Sequence, residues 1–147
     1  MNAQSGPDQP VRLALSNRRA EIESLENTIL EHVERHGYPK SSTFAIKLAL
    51  EEALINAFQH GHRDLPDSAT IEVRYEVSEA AVRIEIEDQG PGFDPSDLPD
   101  PTADENLLNT SGRGLMLMRA YMSRVTYVGR GNRVEMLYNR PEPEPEG

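Results

Sequence analysis

Glu52, Asn56 and His60 recur at four-residue intervals inside an otherwise apolar stretch, Leu48 to Gly61 (LALEEALINAFQHG). On a helix this spacing puts all three on one stripe. Ala45 and Ala49 lie one and two turns earlier on the same side, and their small side chains are expected to leave room against the stripe. A carboxylate there can take a proton from a water or hydroxyl that attacks a terminal phosphate. A neutral amide oxygen one turn away suits Mg²⁺, which takes few protein ligands and keeps waters and phosphate oxygens. A core helix with its polar groups satisfied by neighbouring backbone accounts for the same residues.

Two glycine-rich segments follow. Asp88-Gln89-Gly90-Pro91-Gly92 ends an apolar-charged alternation, and an aspartate freed of side-chain obstruction by its glycines can accept a hydrogen bond from an exocyclic amine such as adenine's. Taken alone it reads more readily as a strand-ending turn and nothing more. Gly112-Arg113-Gly114 precedes an apolar run from Leu115 to Met122. Its glycines allow close backbone approach, and the helix N-terminus behind them offers unpaired N–H groups to phosphates. A flexible helix start is the plainer reading of that segment. The pieces complement one another, which none does singly.

The elements that must position these groups follow from periodicity. Residues 1–10 form a lead-in with two prolines and a glycine, and the tail 141–147 (PEPEPEG) has nothing to bury. Between them, 11–140 reads as one domain. Val11 to Leu15 alternates as a short strand. A helix capped by Ser16 or Asn17 then runs to about His36, with Ile22, Leu25, Ile29 and Val33 on one face, and Gly37 stops it. The second helix is expected to start at Ser41 or Ser42 and to end at Gly61 in a left-handed conformation. Thr70 to Val77 and Ala81 to Glu87 alternate apolar with charged residues, which predicts an antiparallel hairpin with one wet face. Gln89 to Arg113 is crowded with Gly, Pro, Asp, Asn and Ser and reads as a long loop, of a length that is usually a functional lid or disordered. Arg124 to Val128 and Arg133 to Tyr138 predict a second hairpin around Gly129-Arg130-Gly131-Asn132. The expected fold is α/β (α+β), a two-layer sandwich with a mixed, mostly antiparallel sheet and helices on one face.

Composition narrows the function classes. The chain has 147 residues, 37% apolar and 27% charged, the size and make-up of one globular domain. Its 25 acidic and 15 basic residues give a net charge of -10, which disfavours direct nucleic-acid or anionic-membrane binding and suits a basic partner surface. Without cysteine there are no disulfides, thiolate metal sites or cysteine nucleophiles. No apolar run approaches the roughly 18 residues of a membrane span, and MNAQSGPDQP lacks a charged-then-apolar leader pattern, so a soluble cytoplasmic protein is expected. His32 and His36 have the spacing of a zinc pair, but no glutamate follows the first, which favours a solvated helix face.

The order of these segments resembles the N, G1 and G2 boxes of the ATPase superfamily that includes DNA gyrase, histidine kinases and mismatch-repair proteins. The matching residues are Glu52-x-x-x-Asn56, Asp88-x-Gly90-x-Gly92 and Gly112-x-Gly114-Leu115. Within that superfamily the chain is most similar to the small anti-sigma-factor serine kinases over roughly residues 11–139, through EEALINAFQHG, IEDQGPGFDP and ENLLNTSGRGLMLMRAYM. The resemblance implies ATP and Mg²⁺ as cofactors, with Asn56 on the metal, Glu52 as general base for a partner's serine, and Asp88 on the adenine amine. It further implies that Gly90 and Gly92 shape the pocket floor, that Gly112, Arg113, Gly114 and Leu115 close over the phosphates, that residues 93–111 form the lid, and that His60 lies near the phosphates or simply finishes its helix. Implied partners are a STAS-domain anti-anti-sigma factor, a sigma factor and a second copy of the chain in a homodimer, which would use residues 11–36.

Two positions depart from that pattern: Met122-Ser123-Arg124 replaces an aspartate common after the G2 helix, and Gly131-Asn132-Arg133-Val134 replaces a threonine near the phosphates. Two functions remain open, a serine kinase of a STAS protein that also sequesters a sigma factor, and a nucleotide-dependent binding adaptor without transfer activity. The presence of Glu52 favours the kinase, since a sensor needs the metal ligand more than the base. A histidine-kinase fragment is disfavoured, because the upstream helix has no histidine followed by glutamate and proline.

Overall fold

The computed structural model describes residues 10–62, 65, 66, 68–91, 117–129 and 131–141. Five strands form one sheet, β1 (Val11–Leu15), β2 (Ile71–Val77), β3 (Ala81–Glu87), β4 (Arg124–Val128) and β5 (Arg133–Asn139), in the order β1-β2-β3-β5-β4. All four pairings are antiparallel, so among the described residues the sheet is not mixed. Two helices, α1 (Arg19–Arg35) and α2 (Lys40–Ile55), cover one of its faces.

The period-two alternation decides which face they cover. Along β2, Ile71, Val73, Tyr75 and Val77 are buried, and Val73 lies opposite Ile86, Tyr75 opposite Ile84 and Val77 opposite Val82. Ile84 and Ile86 in turn face Met136 and Val134 of β5, so three strands share one apolar stripe. Leu25, Ile29 and Val33 of α1 and Ile46, Ala49, Leu50, Ala53 and Leu54 of α2 close over it, while Ile22 is only partly buried. On the other face charges pair across strands: Arg74 donates to Glu85 (2.7 Å) and Glu87 (2.9 Å) and also bridges Glu72. Desolvation lowers the Arg74 guanidinium, but its hydrogen bonds to Glu87, Glu85 and Glu72 outweigh this and raise it above its ordinary value, and the Arg12 and Arg74 guanidinium groups hold Glu72 below its own.

Away from the candidate site, Arg140 ties three elements together. It donates to the carbonyls of His36 (2.8 Å) and Gly37 (3.1 Å) and sits 4.7 Å over the Tyr38 ring, whose hydroxyl donates to Ser78 O (2.7 Å).

Several local expectations are corrected. The residue preceding α1 is Arg18, not Ser16 or Asn17, although Ser16 N–H reaches Glu21 Oε1 at 3.2 Å in place of a cap. Helix α2 starts after Pro39, whose fixed φ of -66° suits a helix entry, and Ser42 is instead buried against the Tyr138 hydroxyl at 2.7 Å. Ala45 and Ala49 are themselves covered by the core and leave no open room. His32 and His36 are half-buried rather than solvated, and the His32 ring meets Tyr75 edge-on at 6.3 Å.

Candidate functional site

The second helix does not run to Gly61 in one register. It ends as α-helix at Ile55 and continues as a π-turn, Asn56–Gly61, in which His62 N–H reaches back to Ala57 O at 3.0 Å. Such wide turns are uncommon and concentrate at functional positions. Here the change of register begins at Asn56, one turn beyond Glu52. Gly61 is not left-handed; Gly37, Gly129 and Gly131 are the described glycines at positive φ.

Gly61 answers to a neighbour instead. A Cβ added to it would lie 2.4 Å from Asp88 Oδ2 and 2.5 Å from Cγ, so the Asp88 carboxyl rests directly against its Cα. A Cβ on Gly90 would lie 1.9 Å from Gly61 O. The π-turn and the turn after β3 therefore meet backbone to backbone, and both glycines are required for the contact. The widened turn and the two missing side chains are parts of one packing solution.

Asp88 is held from several sides. Its Oδ1 accepts Gly90 N–H at 2.8 Å, its backbone N–H donates to Asn132 O at 2.8 Å, and Asn132 Nδ2 donates to its carbonyl at 2.8 Å. One residue on, Gln89 N–H donates to His62 Nε2 at 2.8 Å, and Gln89 Nε2 donates to Thr70 O at 2.7 Å. The buried His62 ring must therefore carry its proton on Nδ1, and it stands edge-on to Phe58 at 5.9 Å. Asn132, one of the two departures from the family pattern, thus anchors the aspartate's strand end. At the other departure, Met122 is buried and Ser123 joins β5, donating N–H to Leu137 O and accepting Asn139 N–H, both at 2.8 Å.

Asn56 is hydrogen-bonded to the Tyr127 hydroxyl on β4, and Asp88 and Arg119 lie within electrostatic reach of that hydroxyl. Burial pushes Tyr127 above the ordinary tyrosine range, while the Asn56 hydrogen bond and Arg119 act the other way. Asn56 and Asp88, 32 positions apart in the chain, thus converge on one corner of the sheet. Glu52 is placed differently. It lines an open groove between α1 and α2 with Ile22, Glu23, Glu26, Glu51, Ile55 and Phe58, and Asn56 is not on that wall.

His60 belongs to the π-turn, but its side chain lies outside the described residues. So do Gly92, Gly112, Arg113, Gly114, Leu115 and the expected lid 93–111, of which nothing structural is stated. Helical residues 117–121 follow them and bury Met118 in the core. The roles of Gly61, His62, Tyr127 and Asn132 carry no spacing signal in the sequence. Gly61 stood in plain view in QHG, but a helix-ending glycine has a commoner explanation than a carboxylate pressed on its Cα.

A two-layer sandwich that seats an aspartate at a strand end against a helix-end glycine has the architecture of a histidine-kinase-like ATPase domain. The family model described as "Histidine kinase-like ATPase domain" matches residues 5–138, and the chain belongs to that family. Among curated proteins it is similar to the serine-protein kinase RsbW of Bacillus licheniformis, 33% identical over 97 residues that make up 60% of this chain and 59% of that protein. It is likewise 33% identical to the serine-protein kinase RsbW of Staphylococcus aureus over 86 residues, 54% of each chain. The chain therefore spans little more than half the length of the curated relatives it matches. A crystal structure of the RsbU and RsbW domains of a Mycobacterium tuberculosis protein superposes with a TM-score of 0.59 over 90% of this chain and 32% of that one, at 17% identity. This last likeness bears on the fold.

Proposed function

We propose that the chain binds Mg-ATP at the corner formed by the π-turn, Asp88 and β4, and phosphorylates a serine of a STAS-type anti-anti-sigma protein. In its other partner state it holds a sigma factor, acting as a homodimeric cytoplasmic regulator of transcription. The observation that carries the nucleotide reading is the seat of Asp88. Two glycines make room for its carboxyl, and a backbone N–H fixes the rotamer, which is how a hydrogen-bond acceptor is pre-aimed at an exocyclic amine.

The donor set also fits a magnesium ion. Asn56 supplies a neutral oxygen at a helix irregularity and would hold the ion, which when bound supplies positive charge to the phosphate oxygens. Glu52, half-buried one turn earlier, would take the proton of the partner's serine hydroxyl as that oxygen attacks the terminal phosphorus and the bond to the leaving diphosphate breaks. That both RsbW relatives are named serine-protein kinases supports this assignment of activity.

The adaptor reading has an observation of its own, since Glu52 lines the α1–α2 groove rather than the corner that Asn56 shares with Tyr127. Labelled ATP, Mg²⁺ and a cognate STAS protein separate the two. The kinase reading predicts transfer by the wild type and a loss of about 100-fold or more in Glu52→Gln, within the range for removing a general base. Full-rate transfer by Glu52→Gln contradicts the base assignment. Binding of both ATP and STAS protein by the wild type with no transfer establishes the adaptor.

A further inference from the structure

Four carboxylates line the groove between α1 and α2: Glu23 and Glu26 on α1, Glu51 and Glu52 on α2. The space they enclose measures about 400 Å³, and Ile22 and Phe58 give it an apolar wall. On the outer sheet face the glutamates are paired, with Arg74 bridging Glu72, Glu85 and Glu87. The four in the groove are not, since among the described residues none of them makes a hydrogen bond or an ion pair. Glu26 sets this groove apart from a solvated acidic face. It is 8% exposed, yet no donor reaches its carboxyl, and Lys47, within electrostatic reach, forms no ion pair with it. Nor is the carboxyl sealed in the core: the buried atoms shut off without a partner belong to Ser16, His32, Thr43 and Arg133. Its open edge faces the groove that it lines. A carboxylate withdrawn from water without a counter-charge weakens the fold that holds it, and such a local conflict is expected at a functional position.

We propose that this groove is a docking site for an arginine-bearing segment of a partner protein, whose guanidinium enters between Glu26 and Glu51. Among the described residues no three acidic or histidine side chains converge closely enough to hold a metal ion, which leaves an extended organic cation. Guanidinium suits the two walls best. It is planar, weakly hydrated and able to donate to two carboxylates at once, here one from each helix. The aliphatic stem behind it would lie along Ile22 and Phe58. Glu23 and Glu52 extend the negative charge beyond that seat, and the net charge of -10 favours a basic partner surface, so a chain segment matches the groove better than a single small ion. Docking here requires neither ATP nor transfer and goes beyond the nucleotide reading.

The test is an NMR titration of the ¹⁵N-labelled full chain at roughly 0.15 M salt, where general attraction between exposed charges is screened. Three probes are used: a peptide alternating arginine with leucine, the same peptide with neutral citrulline for arginine, and spermidine. The arginine peptide is expected to shift the amides around Glu23, Glu26 and Glu51 and to bind at least about tenfold more tightly than the citrulline peptide. Glu26→Gln should weaken it by about tenfold or more, and Glu51→Gln, on the opposite wall, should weaken it too. Glu34→Gln removes the same charge from an exposed position on α1 and should change affinity less than about twofold. The spectra of each variant report in the same sample that it is folded. Equal losses in Glu26→Gln and Glu34→Gln, or equal binding of the two peptides, would mean that only net charge or apolar surface is sensed and overturns the assignment. Spermidine bound as tightly as the arginine peptide, with the same loss in Glu26→Gln, would make a free polyamine the ligand and overturns it as well.

Discussion

At the scale of single residues, the site turns on contacts that permit no substitution in size. Gly61 is the sharpest case: a methyl group there would overlap the Asp88 carboxyl at 2.4 Å. Gly61→Ala must move either the aspartate or the π-turn. The expected outcome is a stability loss of about 1–3 kcal/mol, typical of overpacking, together with at least a tenfold loss of ATP affinity. Thermal melts and calorimetry on the same protein check it; unchanged affinity would mean that the Asp88 seat is not where nucleotide binds. Motif spacing singled out Glu52, Asn56, Asp88 and Gly90 as candidates, because spacing is read along the chain. It did not display Gly61, Tyr127 or Asn132, because their roles arise from contacts between distant segments. His62 shows the same limit, since its ring nitrogen serves a backbone N–H 27 positions away.

At the scale of elements, α1 and α2 are held by their apolar faces, and the groove between them carries a cost. Glu26 lies in it, 8% exposed, and burial, with Glu51 close by, raises its carboxyl above the ordinary carboxylate range while Lys47 pulls the other way. A carboxyl whose pKa is higher folded than unfolded opposes folding when ionised. The penalty is absent below the unfolded value, about 4, grows as pH rises through the window between the two values, and is complete above the folded one. Glu26→Gln should therefore raise Tm at pH 7 and leave it nearly unchanged below about pH 4, where wild-type Glu26 is also neutral. A lower Tm at pH 7 would mean instead that Glu26 has a stabilising ionic role. Strands, helices and the two-layer arrangement were legible from periodicity, which follows directly from which side chains avoid water. The π-turn and both helix starts were not. Serines near a helix start are read as caps by default, whereas here Ser42 was needed in the core beside Tyr138.

At the scale of the whole molecule, a single antiparallel sheet with helices on one face delivers the end of β3, the end of α2 and the edge strand β4 to one corner. Among the described residues no helix is long and apolar enough to cross a membrane. The outer sheet face is an ordered set of paired charges, with Arg74 among three glutamates, and the net charge of -10 leaves the surface suited to basic partners. Family membership makes nucleotide binding the claim on which kinase and adaptor readings both depend, and Asp88 is the residue that it stands on. Calorimetric titration of Mg-ATP into the wild type and Asp88→Asn tests it most directly. The asparagine keeps the shape but turns part of the acceptor into a donor, so binding by the wild type and an affinity at least tenfold weaker in the variant are predicted. Equal affinities in the two proteins would contradict the account.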